Sequence, residues 1–302
     1  MRRTRILLSG LALSVTAGAC GAAPSTHPKS TPGPSITIGV PGTTEQEVVA
    51  QLYAGVLEHA GVRVTLRTGL GGRAEVEPAL ASGQLDLYPD YAGELLLFLD
   101  ANDTVAATQS STAVADLKSW LGGAGVTVLR PAPALDTDVF VVSRATADQY
   151  HLTTLSSLKP VASKLVIGGP PGCATQAQCL VGLTDTYGLH FKSFTSLDDA
   201  GPITVAALQG GEVQVAELSS SDGTVVRDNF VALGDDKHLL NADYVIPVIR
   251  RSVDTGAVAA ALDRLSARLT TDQLAELNIA VTVDHRAPAT VARRWLEQAQ
   301  LI

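Results

Sequence analysis

Much that would announce a chemistry is missing from this sequence. Lysine and arginine are scattered without a basic run and the formal net charge is −8, so a nucleic-acid surface is not expected. Neither G-x-G-x-x-G nor a Walker lysine occurs, which leaves nucleotide binding with little support. No G-x-S-x-G or other nucleophile motif is present. The six histidines (His27, His59, His151, His190, His238, His285) show no metal-ligand spacing. The adjacent acids Asp198-Asp199 and Asp235-Asp236 raise glycosidase chemistry, but neighbours on a strand or turn point apart, and such runs are usually solvated loops. The expectation is a non-enzyme with no cofactor and no metal. Beyond the first 20 residues no apolar run is long enough to span a bilayer.

What is present begins with an export signal. Met1-Arg-Arg-Thr-Arg5 is a basic start, Ile6 to Ala19 is apolar and small, and Ala17-Gly18-Ala19 precede Cys20. This reads as a lipoprotein signal peptide over 1–19, with Cys20 as the lipidated first residue of the mature chain. The plainer alternative is an ordinary signal peptide that happens to contain a cysteine. Residues 20–35 are a Pro/Ser/Thr tether too polar to fold, suited to holding a domain off a membrane. The remaining cysteines, Cys173 and Cys179, read as a disulfide closing a short loop. A metal site would want further ligands nearby, and redox catalysis would prefer two intervening residues where here there are five.

The folded part is organised around residues 36–100. Val62, Val64 and Leu66 alternate with polar residues as a strand, a glycine loop leads into a helix ended by Ser82-Gly83, and Leu85–Leu87 is a second strand. Tyr88-Pro89-Asp90-Tyr91 reads as a turn that delivers an aromatic ring where a parallel strand ends, the place where ligands sit in open α/β sheets. Upstream, Ile36–Val40 is a strand and Thr44-Glu-Gln-Glu47 a capping box, with Thr44 as the N-cap of a helix that stops at Gly61. Strand and helix continue to alternate through 250, and the C-terminal part is helical, its last helix opening at Pro288. Apolar strands near 138–142 and 244–249 read as two crossings between lobes. Lobe 1 is then expected over 36–138 plus 247–302 and lobe 2 over 139–246. Trp120 and Trp295 fall on presumed lobe 1 helices and read as packing residues.

Several short motifs recur here in a fixed order: Thr44-Glu45-Gln46, Leu70-Gly71-Gly72, the Ala79-Leu80-x-x-Gly83-x-x-Asp86-Leu87-Tyr88-Pro89-x-Tyr91-x-Gly93 block, Gly168-Gly169-Pro170-Pro171, Tyr187-Gly188-Leu189, Asp222-Gly223 and Asp235-Asp236-Lys237. With them the chain from Ile36 to about Gln300 resembles the substrate-binding proteins of ABC importers for osmoprotectants such as glycine betaine, choline, carnitine and proline betaine. The resemblance implies a two-lobed periplasmic-binding-protein fold of type II, each lobe a mainly parallel sheet flanked by helices, joined by two hinge strands. It implies capture of a small solute between lobes, delivery to an ABC permease, and a monomer on the outer face of the membrane.

In that family quaternary ammonium groups sit against tyrosine faces, and betaine carboxylates are held by Lys or Arg. Carried over residue by residue, Tyr91 matches a cage tyrosine, and Thr44 and Gly71 lie in matching loops. Elsewhere the pattern departs. Glu94 stands where a Thr is usual, Pro41 where a Lys is common, Asp138 at an aromatic position with Asp136 two before it, and Gln176 at an Arg position. Ser219 and Asp243 replace further aromatics, with Tyr244 beside the latter. The expected ligand stacks on Tyr91 and offers hydrogen-bond donors or a cationic amine to Asp138, Asp243 and Glu94. Polyols, sugars, phenolic compounds and amines fit, as does choline if those acids are solvated rim residues. A lipid-anchored sensor using the same lobes without transport is the other class.

Overall fold

The computed structural model describes residues 35–99, 110–240 and 243–302. In chain order the elements are β1 (Ser35–Gly39), α1 (Thr44–His59), β2 (Arg63–Arg67), α2 (Arg73–Ala81), β3 (Leu87–Tyr91), α3 (Ala92–Leu99), α4 (Ser110–Leu121), β4 (Val126–Val128), β5 (Asp138–Val142), α5 (Arg144–Tyr150), β6 (Val166–Gly169), α6 (Leu180–Tyr187), β7 (Ser193–Ser196), α7 (Pro202–Gly210), β8 (Val215–Ser219), α8 (Gly223–Arg227), β9 (Val231–Ala232), β10 (Val245–Arg250), α9 (Gly256–Ser266), α10 (Thr271–Thr282) and α11 (Pro288–Gln298).

The strands form two five-stranded sheets of matching design. The first runs β2-β1-β3-β10-β4 and the second β7-β6-β8-β5-β9. In each, the fourth strand in that order is antiparallel to its neighbours while the β-α-β crossovers pair in parallel. Each sheet has apolar clusters on both faces. β3 shows how: Leu87 and Tyr91 point into the cluster with α1 and α9, and Tyr88 into the one with α2, α3 and α4. The second lobe repeats this, with Phe140 and Val142 of β5 facing one cluster and Val141 the other. Trp295 packs in the first-lobe core, whereas Trp120 lies exposed.

Three local expectations are corrected. Tyr88-Pro89-Asp90-Tyr91 is not a turn after the strand; it is the strand, buried at every position. Proline is tolerated there because β1 pairs with β3 only at Leu87, and on the other side Pro89 faces Pro247, so neither ring is asked for an amide hydrogen. The cap of α1 is Thr43, whose Oγ1 accepts from Gln46 N at 3.1 Å, and Thr44 is the first helical residue. Thr43…Gln46 and Thr44…Glu47 both satisfy the capping pattern, and the register chosen buries Glu45 and Gln46. Finally, β5 including Asp138 lies wholly in the second sheet and β10 from Val245 wholly in the first, so neither strand itself crosses. The first passage comes before β5. Asp136 N donates to Asp243 O in the first lobe, and one residue later Thr137 N donates to Ser220 Oγ in the second.

Candidate functional site

Between the two sheets lies a cleft of about 610 Å³. The first lobe contributes the loops at Pro41–Thr43 and Gly71–Arg73 and the end of β3. The second contributes Thr137 and Asp138 at the start of β5, Gln178, Asp199 and Ser219. These are strand ends and the loops beyond them, where backbone groups leave the ladder and side chains converge.

Of the residues singled out from the sequence, Gly71, Tyr91, Glu94, Asp136, Asp138, Ser219 and Asp243 are brought together on its wall. Two are not. Thr44 is exposed at the start of α1 and Thr43 takes its place in the cleft. Gln176 is exposed against Gly172, and Gln178 is the glutamine that lines the cleft. The reason is the loop itself: Gln176 N bonds back to Gly172 O, closing a turn, while the Cys173–Cys179 bond (Cα–Cα 5.0 Å) anchors the far end beside Gln178.

Sequence reasoning missed Arg73, although it follows directly on the Leu-Gly-Gly motif. Among the described residues it is the one basic side chain on the wall. Its guanidinium forks onto Asp90, with Nε 3.1 Å from both oxygens and Nη2 2.7 Å from Oδ1, and its Nη1 reaches Glu94 at 3.1 Å. Burial works against the cation, but Asp90 and Glu94 outweigh it and hold it charged. Asp90 is buried and also accepts from Tyr88 OH and Tyr91 N; burial still raises its carboxyl against the pull of Arg73.

The other acids have no such partner. Asp243, 4% exposed, accepts the Glu94 amide at 2.7 Å, yet burial and then the charge of Glu94 push its carboxyl up to about 7. Asp138 is raised by desolvation and by Asp199, Asp136 and Glu94. Asp136 is held by the hydroxyls of Ser219 and Ser221. Behind the second-lobe wall, Glu217 is raised to about 7, mainly by burial, and its Oε2 lies 3.1 Å from Cys179 Sγ. A disulfide sulfur carries no hydrogen, so any proton in that contact belongs to Glu217.

Tyr88 and Tyr91 are the two aromatic rings on the wall among the described residues. Their hydroxyls turn to Glu77 and Glu45. Tyr244 does not line the cleft, so a cage of several rings is not assembled there.

The sequence family described as the substrate binding domain of ABC-type glycine betaine transport systems (OpuAC) matches residues 34–298. The chain is 28% identical over 285 residues to the glycine betaine-binding protein YehZ of Escherichia coli, covering 87% of this chain and 90% of that one. It is 22% identical over 279 residues to the carnitine transport binding protein OpuCC of Listeria monocytogenes, covering 87% and 86%. In fold it is similar to the crystal structure of a glycine betaine/carnitine/choline ABC transporter protein (TM-score 0.81, 21% identity, 88% and 99% covered). The apo YehZ structure from Escherichia coli is similar too (0.79, 24%, 90% and 100%).

Proposed function

The chain belongs to the family of substrate-binding domains of ABC-type glycine betaine transport systems, and we propose that the solute its cleft takes is a small organic cation bearing hydrogen-bond donors. As a member of that family it is an extracytoplasmic solute-binding protein of an importer, delivering its solute to a permease, and not an enzyme. The observation that carries the ligand class is the charge of the wall. Among the described residues Glu94, Asp136, Asp138, Asp199 and Asp243 face the cleft against Arg73 as its one base, and Arg73 is already taken up by Asp90 and Glu94. A betaine carboxylate entering this space would have to displace Glu94 from Arg73 and sit among acids. An amine would find acceptors in Asp138 and Asp199 and a ring face in Tyr91.

Choline is the second reading. It has no carboxylate to repel, its hydroxyl is a donor, and its ammonium suits the Tyr91 ring. Closure of the lobes about the passage at Asp136–Thr137 would bury either ligand.

A thermal-shift screen tests this with polyamines, simple amines, choline, glycine betaine, carnitine, polyols, sugars and phenolic compounds. A ligand at a hundredfold excess over its Kd adds about 2.7 kcal/mol of stability. Amines or choline should shift the midpoint, and the shift should be lost in Asp138→Asn and Tyr91→Ala. A clear shift with glycine betaine and none with amines or choline would overturn the proposal.

The proposal extends to the N-terminus, which lies outside the described residues. Residues 1–19 direct export, Cys20 carries a lipid, and the chain acts as a monomer tethered to the membrane. Among the described residues no helix is long and apolar enough to cross a membrane. Cys20→Ala should release the protein from the membrane fraction; retention would argue against the anchor.

A further inference from the structure

A chain of hydrogen bonds passes from one lobe to the other through a residue that does not line the cleft. Glu45, in the first turn of α1, is only 9% exposed. Its Oε1 accepts the Tyr91 hydroxyl and its Oε2 the Asn278 amide from α10. The same Asn278 Nδ2 donates at 3.1 Å to the carbonyl of Ser221, which follows β8 in the second lobe. Ser221 donates through its hydroxyl to Asp136 at 2.8 Å, and Asp136 also receives Ser219. Tyr91 and Ser219, cleft residues from opposite lobes, are thereby joined. The helices that carry this chain are in tight contact: a Cβ placed on Gly223, at the start of α8, would overlap Ile279 of α10.

We propose that Glu45 is a positioning residue for solute capture: it fixes the Tyr91 ring and, through Asn278, ties it to the second lobe, so that lobe position is linked to the proton on Glu45.

The groups facing Glu45 are Tyr91 from β3, Asn278 from α10, Ser221 from the second lobe and Asp136 from the passage between lobes, and none is a cation. Burial and then the Asp136 charge raise its carboxyl to about 7, against the opposing pull of Tyr91, Ser221 and Asn278. A proton shared on the Tyr91 side leaves Oε2 free to accept from Asn278, so the tie to Ser221 survives protonation. If the second lobe swings away, water reaches Glu45 and its carboxyl returns towards the ordinary value. The tied arrangement therefore holds the proton more tightly. It is favoured fully below the ordinary carboxylate value of 4.5 and the bias is lost as pH rises to about 7, by on the order of a hundredfold in the equilibrium between tied and released lobes.

The inference rests on the cleft between the lobes being the solute site, but its test needs no solute. Spin labels on Lys118→Cys in α4 and Lys159→Cys in the second lobe report the interlobe distance by pulsed electron resonance from pH 5 to 9, in the oxidised chain carrying Cys20→Ala so that no third thiol is labelled. The distance distribution should shift between pH 5 and 7 and stay constant above that. Glu45→Gln should hold the acidic distribution at every pH, and Asn278→Ala the alkaline one. A distribution unmoved from pH 5 to 9 would overturn the proposal. So would a Glu45→Gln protein that titrates like the parent, since Asp243 or Glu217 would then be responsible. Should Glu45→Gln fail to fold, an Asn278→Ala protein that keeps the pH shift overturns it equally.

Discussion

Replacing Arg73 by methionine removes the charge while keeping most of the stem, and the structure sets the size of the effect. The Asp90 side chain is 0% exposed and that of Arg73 22%. Without the guanidinium, Asp90 keeps the Tyr91 amide at 2.8 Å and at most a share of the Tyr88 hydroxyl at 3.1 Å, whose one hydrogen also goes to Glu77. Breaking a buried ion pair from one side costs about 3–5 kcal/mol, because the remaining charge is stranded. The surviving Tyr91 amide and a partly exposed Arg73 place this pair at the lower end, about 3 kcal/mol. For a folded part of this size that is roughly 6–12 °C in Tm. The sign of the pH dependence follows. The Asp90 carboxyl is already raised by burial, and losing Arg73 raises it further. The folded variant then binds a proton that the unfolded chain releases, so its deficit grows as pH rises and shrinks on acidification. Urea unfolding at pH 5 and pH 8 measures this, with Arg73→Met/Asp90→Asn closing a double-mutant cycle. The double variant should recover most of the loss. An Arg73→Met protein within about 1 kcal/mol of the parent at pH 8, or a double variant no more stable than the single one, would refute the reasoning.

Three further outcomes are expected. Asp243 is raised to about 7, so its contribution to stability is fullest below the ordinary carboxylate value and is lost as pH rises through 7. Asp243→Asn, which still accepts the Glu94 amide, should therefore be more stable than the parent at pH 8 and show a flatter midpoint between pH 5 and 7; equal slopes would count against it. Opening the Cys173–Cys179 loop, whose cysteines are six residues apart, should lower stability by about 2 kcal/mol in denaturation with and without dithiothreitol. Gly223→Ala should cost about 1–3 kcal/mol, seen as a lower thermal midpoint, because its Cβ has no room against Ile279.

Local pattern carried the sequence reading a long way. Alternation at Val62, Val64 and Leu66 matches β2 and its approach, Gly83 at φ +78° follows the end of α2, and Pro288 opens α11. These features are set by neighbours in the chain. The failures share a different cause, which is that the deciding partner comes from elsewhere. Pro89 signals a turn until Pro247 is laid opposite it. Glu45 gives no sign in its motif of being buried, because α10, returning after the whole second lobe, is what covers it with Asn278. Two glutamines in one short loop are equivalent in sequence, and only the fold of that loop puts Gln178 on the cleft.

Arg73 is the most instructive of these. The sequence shows how many acids and bases lie near the cleft motifs, but not which acids are neutralised and which are left facing the cavity. That distinction depends on Arg73 being held by the buried Asp90, while Asp138 faces only acids and Asp243 feels the Arg73 charge too weakly to offset its burial. The sign of the field inside a binding cleft is thus a tertiary quantity. Two chains with the same motifs and the same net charge can present opposite fields to a solute, depending on where one arginine is anchored. For a protein whose work is choosing a solute, that makes the anchoring of Arg73 as much a part of specificity as any side chain that touches the ligand.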